Sequence, residues 1–285
     1  MRESPKIGRE TMITINNLSF KYKKKQIFRD FNLNIPEGES CLITGINGVG
    51  KSTLLRIMAG VLKPDEGEIS YGDLLGKKPK QKIGFISDKL SIYESLTVNE
   101  MIKLHSSFYK INEFDQSLLA HLKISYDQII KELSIGQRTI LLLSLILSAK
   151  PELLLVDEVI HSLDAYLRKV FLEKVIELIS ERSITVVMVN VNFHDIENLL
   201  NRVILLKNGK IAVDEKIEDL KKKVKRISGE DTLDDLPVLS KTGNPEFPDI
   251  YIYPFSEDMR SKTKGNIIDL NLTEIITAFI GKEYA

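Results

Sequence analysis

Near the start of the chain Ile13 and Ile15 alternate with Thr14 and Asn16, and Phe31, Leu33 and Ile35 alternate with Asp30, Asn32 and Asn34. Alternation with a period of two predicts two strands with one wet face each. Polar residues 21–26 read as the connection between them, and Pro36-Glu37-Gly38 turns the chain toward an apolar run ending in Leu42-Ile43-Thr44. Leu54, Ile57, Met58 and Val61 then share one helical face, with Lys63-Pro64-Asp65 as the expected stop and Gly67 opening a strand over residues 68–71. Across residues 97–149 the pattern is helical, with no convincing strand. Residues 153–156 and 184–191 are continuous apolar runs of strand length, as strands buried on both faces of a parallel sheet require. Residues 166–179 between them read as an amphipathic helix, which makes this portion a βαβ unit. Residues 203–207 and 210–213 flank Asn208-Gly209, the pairing that suits a type I′ hairpin turn.

The pattern then loosens. Residues 217–227 predict a helix carrying Lys221, Lys222, Lys223, Lys225 and Arg226, read as a solvated face, with contact to acidic lipid headgroups as the alternative. Strand-like pieces follow around residues 250–253 and 267–270, and residues 272–280 close the chain as a helix. Residues 215–285 therefore read as a small appended α+β module. Residues 1–11 are polar, contain Pro5 and Gly8, and read as a flexible leader, with Met12 opening the fold.

Composition narrows the function more than the fold. Forty Lys and Arg balance forty Asp and Glu among 285 residues, which gives no support to a general nucleic-acid binder. The one cysteine excludes an internal disulfide and fits a reducing compartment; Cys41 lies in an apolar run and reads as a buried strand residue. No stretch has the order of a signal peptide, and the most apolar window, residues 140–149, is about half of what crosses a bilayer. The expectation is a soluble protein that meets a membrane through a partner.

The chemistry concentrates after Leu42-Ile43-Thr44. Gly45, Ile46, Asn47, Gly48, Val49, Gly50, Lys51, Ser52 and Thr53 carry the full phosphate-loop spacing between a strand and a helix. Glycine lets backbone N–H groups turn inward around an anion, and the helix start adds partial positive charge. Lys51 is placed to reach β- and γ-phosphates and Ser52 to ligate Mg²⁺, which together imply a bound nucleoside triphosphate. Asp157 ends the apolar run 153–156, where a second Mg²⁺ ligand is needed, and Glu158 follows in position to orient or deprotonate an attacking water. Upstream, Leu133-Ser134-Ile135-Gly136-Gln137 opens the apolar helix over residues 139–148.

With these residues the chain resembles the ATP-binding subunit of an ABC transporter over roughly residues 12–213. The family signature Leu-Ser-Gly-Gly-Gln is matched at four of its five positions, Ile135 replacing a glycine. The resemblance implies a P-loop ABC cassette of the α/β class: a RecA-like mixed sheet core, an antiparallel β subdomain and a helical subdomain near residues 97–149, together residues 12–214. It implies ATP and Mg²⁺ as ligands, Tyr22 stacking on adenine, and Ser134, Gly136 and Gln137 gripping in trans the ATP of a second cassette. Ser162-Leu163-Asp164 resembles the family's dimer-contact loop. Asp88 stands where the family has a glutamine touching Mg²⁺ and the membrane partner; a carboxylate can ligate Mg²⁺ but adds negative charge beside the γ-phosphate. The place of the family's switch histidine falls at Val191, flanked by Asn190 and Asn192, with His194 three residues late. Asparagine can bond phosphate but supplies no imidazolium.

The implied function is an ATPase subunit, peripheral on the cytoplasmic face of the membrane. It pairs with itself or with a second cassette and drives separate transmembrane subunits. The appended module resembles those of exporters for drugs, antimicrobial peptides or sodium. The competing readings are a soluble ABC ATPase acting on ribosomes or DNA, and a degenerate, slowly hydrolysing cassette that relies on a complementary partner.

Overall fold

The computed structural model describes residues 10–87, 92–182, 184–189, 197–228, 236–244, 247–260, 263 and 265–281. The described residues fall into two compact units, drawn from Met1–Ser40 with Gly50–Asn190, and from Cys41–Val49 with Val191–Ala285.

In the first unit β1 (Thr11–Tyr22) and β2 (Lys25–Pro36) form an antiparallel hairpin. Ile13, Ile15, Phe31, Leu33 and Ile35 are buried, while Asn32 and Asn34 face solvent, as the alternation requires. The polar connection expected over residues 21–26 shrinks to Lys23-Lys24, because Tyr22 pairs with Lys25 and Lys21 with Gln26. Lysine is at home on the wet face of a strand, so polarity alone did not mark the end. Residues 1–9 of the expected leader lie outside the described residues, and the fold begins at Thr11.

Strand β3 (Ser40–Gly45) is buried throughout, Cys41 included, and leads through the glycine-rich loop into α1 (Lys51–Met58). The helix is shorter than its apolar stripe suggested. It stops before Gly60, which takes φ 65, and Val61 is 62% exposed instead of sharing the buried face. Strand β4 (Glu66–Tyr71) joins the far side of β1. Strands β5 (Ile83–Ser87), β6 (Leu153–Asp157) and β7 (Thr185–Val189) pair in parallel, and α1 packs on β6 and β7. Between β5 and β6 come α2 (Val98–Tyr109), α3 (Ser117–His121) and α4 (Ile135–Ser148). They share a core that includes Val98, Leu119, Ile130, Leu133 and Leu141. Helix α5 (Ala165–Arg182) connects β6 to β7.

In the second unit β3 pairs in parallel with β8 (Arg202–Lys207), which pairs antiparallel with β9 (Lys210–Lys216). Asn208 and Gly209 both take positive φ, 51 and 70, as a type I′ turn demands. Helix α6 (Ile217–Lys223) ends earlier than expected, and Lys225–Ser228 form strand β10. The reason is a change of period: Val224, Lys225 and Ile227 are buried by pairing and packing that a lysine-rich helix face would not give. Strands β11 (Val238–Asn244), β12 (Phe247–Ile252) and β13 (Asn266–Asp269) complete a sheet ordered β11-β12-β10-β13, with α7 (Glu257–Arg260) between β12 and β13. Ile227, Ile250, Ile252 and Phe255 form its core, and α8 (Leu272–Ile280) lies against β11. The expected solvated lysine face is largely neutralised: Lys221 pairs with Glu197, Lys223 with Glu215 at 2.6 Å and Lys225 with Asp269 at 2.6 Å.

Candidate active site

Two glycines of the phosphate loop sit where a Cβ would clash. Gly45 ends β3 at φ 142, where a Cβ would lie 2.4 Å from the Leu206 carbonyl oxygen. Gly50 precedes α1 at φ 116, where a Cβ would meet Phe28 Cζ at 2.6 Å and Ile27 Cγ2 at 2.7 Å. The left-handed region favours glycine at both. Because Gly50 is the N-cap, no side chain caps α1, and the first turn contains no acidic residue. The positive end of that helix is thereby kept for an anion.

Two carboxylates approach α1 from the end of β6. Ser52 Oγ donates to Asp157 Oδ1 at 2.7 Å across 105 residues of sequence. Lys51 is only 4% exposed, and its Nζ lies 3.7 Å from Glu158 Oε1. Burial lowers the Lys51 pKa, while the Glu158 and Asp157 carboxylates act to raise it. Asp157 is buried at the strand end. Glu158 takes the left-handed conformation, φ 51 and ψ 17, and its N–H donates to the Val189 carbonyl at 3.0 Å. For a residue other than glycine that backbone costs on the order of 1–3 kcal/mol, a strain that recurs at functional sites. The turn brings the chain into residues 159–162, and Asp164 Oδ1 then accepts the Leu167 N–H at 2.9 Å at the start of α5.

A hydroxyl and a carboxylate in contact are the hard oxygen donors that Mg²⁺ prefers. Among the described residues no group of three or more His, Cys, Asp or Glu could hold a metal alone.

The signature residues form a second helix start. Ser134 is the N-cap of α4; its Oγ accepts the Gln137 N–H at 3.1 Å, and Gln137 Oε1 accepts the Ser134 N–H at 3.0 Å. Ile135, the departure from the family pattern, is 56% exposed. A Cβ on Gly136 would lie 2.3 Å from Leu167 Cδ1, the movable end of a side chain, so a larger residue there requires Leu167 to shift. Tyr22 ends β1 exposed, its ring edge-on to Phe20 at 4.9 Å. Thus Lys51, Ser52, Asp157 and Glu158 come together, whereas Ser134 and Gln137 bond each other instead. Asp88, Asn190, Val191, Asn192 and His194 lie outside the described residues. Sequence reading missed the residues that brace the glycines, Ile27 and Phe28 behind Gly50 and Leu167 behind Gly136. Only contact in space marks them, because no spacing rule links them to their glycines.

The model of the ABC transporter family matches residues 28–161. The chain is 32% identical over 209 residues to a probable sulfate/thiosulfate import ATP-binding protein of Chlorella vulgaris, covering 70% of this chain and 89% of that protein. It is 31% identical over 213 residues to a thiamine import ATP-binding protein of Chelativorans sp. (strain BNC1), covering 71% and 86%. A linearmycin resistance ATP-binding protein of Bacillus subtilis (strain 168) is 28% identical over 211 residues, covering 70% and 68%. Among solved structures, a dimeric ATP-binding cassette in a post-hydrolysis state with ADP and Pi is 26% identical, with a TM-score of 0.62 over 72% of this chain and 98% of that one. With the Ser52–Asp157 contact and the Lys51–Glu158 pair together at the start of α1, and with these relatives, this chain belongs to the ABC transporter family as an ATP-binding, ATP-hydrolysing cassette.

Proposed function

We propose that this chain powers transport through separate membrane subunits by closing with a second cassette around ATP and hydrolysing it. The observation that carries this reading is the Ser52–Asp157 bond beside the Lys51–Glu158 pair. Residues 45–53 cradle the triphosphate, Lys51 offsets β- and γ-phosphate charge, and Tyr22 stacks on adenine. Ser52 and Asp157 would hold Mg²⁺, which when bound would shield the charge that builds on the phosphates. Glu158 takes a proton from water as its oxygen bonds to the γ-phosphorus and the bond to the ADP oxygen breaks. Ser134, Gly136 and Gln137 meet the ATP of the partner cassette, whose own signature completes the site here. Whether the partner is a second copy or a different cassette is decided by what co-purifies.

The chain works as a peripheral subunit on the cytoplasmic face through partners, as membership of the family implies; no helix among the described residues is long and apolar enough to cross a membrane. The direction assigned is outward, as the sequence resemblance of residues 215–285 to exporter modules implies. The named importers align over 209 and 213 residues, close to the span of the cassette, which handles ATP and not cargo. The test has two parts. Purified chain should hydrolyse ATP and lose that activity with Glu158→Gln; unchanged turnover in the variant refutes the site. Cells lacking the chain should become sensitive to an antimicrobial peptide, drug or sodium; lost nutrient uptake with unchanged sensitivity overturns the outward direction. A slow rate that rises when a different cassette is added would favour the departures at residues 190–192 as the cause.

A further inference from the structure

Glu94 holds the chain on both sides of the signature turn. Its backbone carbonyl accepts the Lys131 N–H at 3.0 Å, shortly before Ser134. Its carboxylate forms an ion pair with Arg138, shortly after it. Neighbouring bonds extend the first grip: Ile130 N–H donates to Leu96 O at 2.9 Å, Val98 N–H to Gln128 O at 3.0 Å and Asn99 N–H to Tyr126 O at 2.9 Å. Residues 94–99 and 126–131 are thus laced together immediately before the turn that Ser134 opens.

Arg138 belongs to that turn, because its N–H donates to the Ser134 carbonyl at 2.9 Å. Its side chain is 19% exposed, and its Nε is buried without a hydrogen-bond partner. A cation so close to the positive end of a helix is unfavourable unless a carboxylate offsets it, and Glu94 supplies that carboxylate. Glu94 is 58% exposed, so the pair contributes little to overall stability. Its effect is geometric. It fixes where the first turn of α4, and with it Ser134, lies relative to the laced segments.

We infer that Glu94 and Arg138 are positioning residues for the ATP site completed in trans, setting the angle at which Ser134 meets the triphosphate of the second cassette. This rests on the proposed dimeric reading. Neither residue belongs to the phosphate loop or to the carboxylates beside it, so their loss acts on closure and not on nucleotide capture.

The experiment uses the full chain carrying Glu158→Gln, with ATP-driven dimerisation followed by sedimentation and binding of a fluorescent ADP analogue to the protomer followed in parallel. Glu94→Gln and Arg138→Gln should each weaken dimerisation about tenfold, and the double variant should be no worse than either alone. ADP-analogue affinity should stay within about twofold and the melting temperature should hold, which separates positioning from misfolding. Arg138→Lys, which keeps the charge, should recover most of the closure. Additive losses in the double variant, or single variants that dimerise like their parent while Ser134→Ala does not, overturn the inference and leave the dimeric reading standing. A parent protein that stays monomeric with ATP, or a Ser134→Ala change without effect, overturns the dimeric reading and the inference with it.

Discussion

The chain has two helix starts that the proposed function assigns to phosphate, and they are built in opposite ways. Helix α1 begins at Gly50 with no side-chain cap, while α4 begins at Ser134 with a reciprocal cap from Gln137. At α1 the backbone conformation does the work: φ 116 is open to glycine, and Ile27 and Phe28 leave no room for a Cβ. At α4 Gly136 is restricted only by the movable end of Leu167, and the hydroxyl of Ser134 is occupied as an acceptor but retains its own proton to donate. The first start carries no side-chain cap and no acidic residue in its first turn, a helix end that suits an anion. The second is satisfied within the protomer, so on the proposed reading a partner's phosphate competes with or adds to an existing cap.

The comparison is broken most severely by removing the chemistry beside α1. Glu158→Gln should lower the steady-state ATPase rate by about 10²–10⁴-fold, the range for loss of a general base, while equilibrium ATP binding persists. Gly50→Ala combines a left-handed alanine with a clash against two core side chains, and should cost about 2–4 kcal/mol by chemical denaturation. Truncating Phe28 should not rescue it, because the φ penalty stays. Gly136→Ala should cost about 1–3 kcal/mol, and a smaller residue at position 167 should recover part of it, since only overpacking is relieved. If both glycines respond to space alone, the distinction fails.

The helical region that carries α4 also has an acid sensitivity. His105 stacks on Tyr109 at 4.5 Å, and burial lowers its pKa to about 4. Between about 4 and 6.5 the unfolded chain holds a proton that the folded chain does not, so this contribution to stability is complete above about 6.5 and is lost as pH falls through about 4. After solvent screening the loss should be about 1–2 kcal/mol, and His105→Gln should flatten that part of the stability–pH curve. The smallest effect belongs to the cap itself: Ser134→Ala should destabilise the protomer by about 1 kcal/mol, and Ser134→Asp should restore it without restoring the ATPase rate.

Local patterns were sufficient wherever one segment carries its own physical cause. Glycine spacing before Lys51 and Ser52, the Asn208-Gly209 turn and the continuous apolar run into Asp157 each became the expected element. The closing helix did too, with Asn271 and Glu274 forming its capping box. Polarity misled where lysines sit on strands: Lys23-Lys24 is a tight turn, not a long connection, and Lys225 is buried against Asp269 in β10. The missed strand β11 has a weak alternation and borrows its stability from β12.

By itself the sequence determined which residues could bind phosphate and metal, because backbone freedom at glycine and the donor types of serine, lysine and carboxylate are properties of residues in order. Only the tertiary structure decided that Ser52 and Asp157 share a bond, that Glu158 is held in a left-handed turn facing Lys51, and that Leu167 and Glu94 brace the second helix start. Those facts depend on distances between segments far apart in the chain. Such distances follow from how whole elements pack, and no local spacing encodes them.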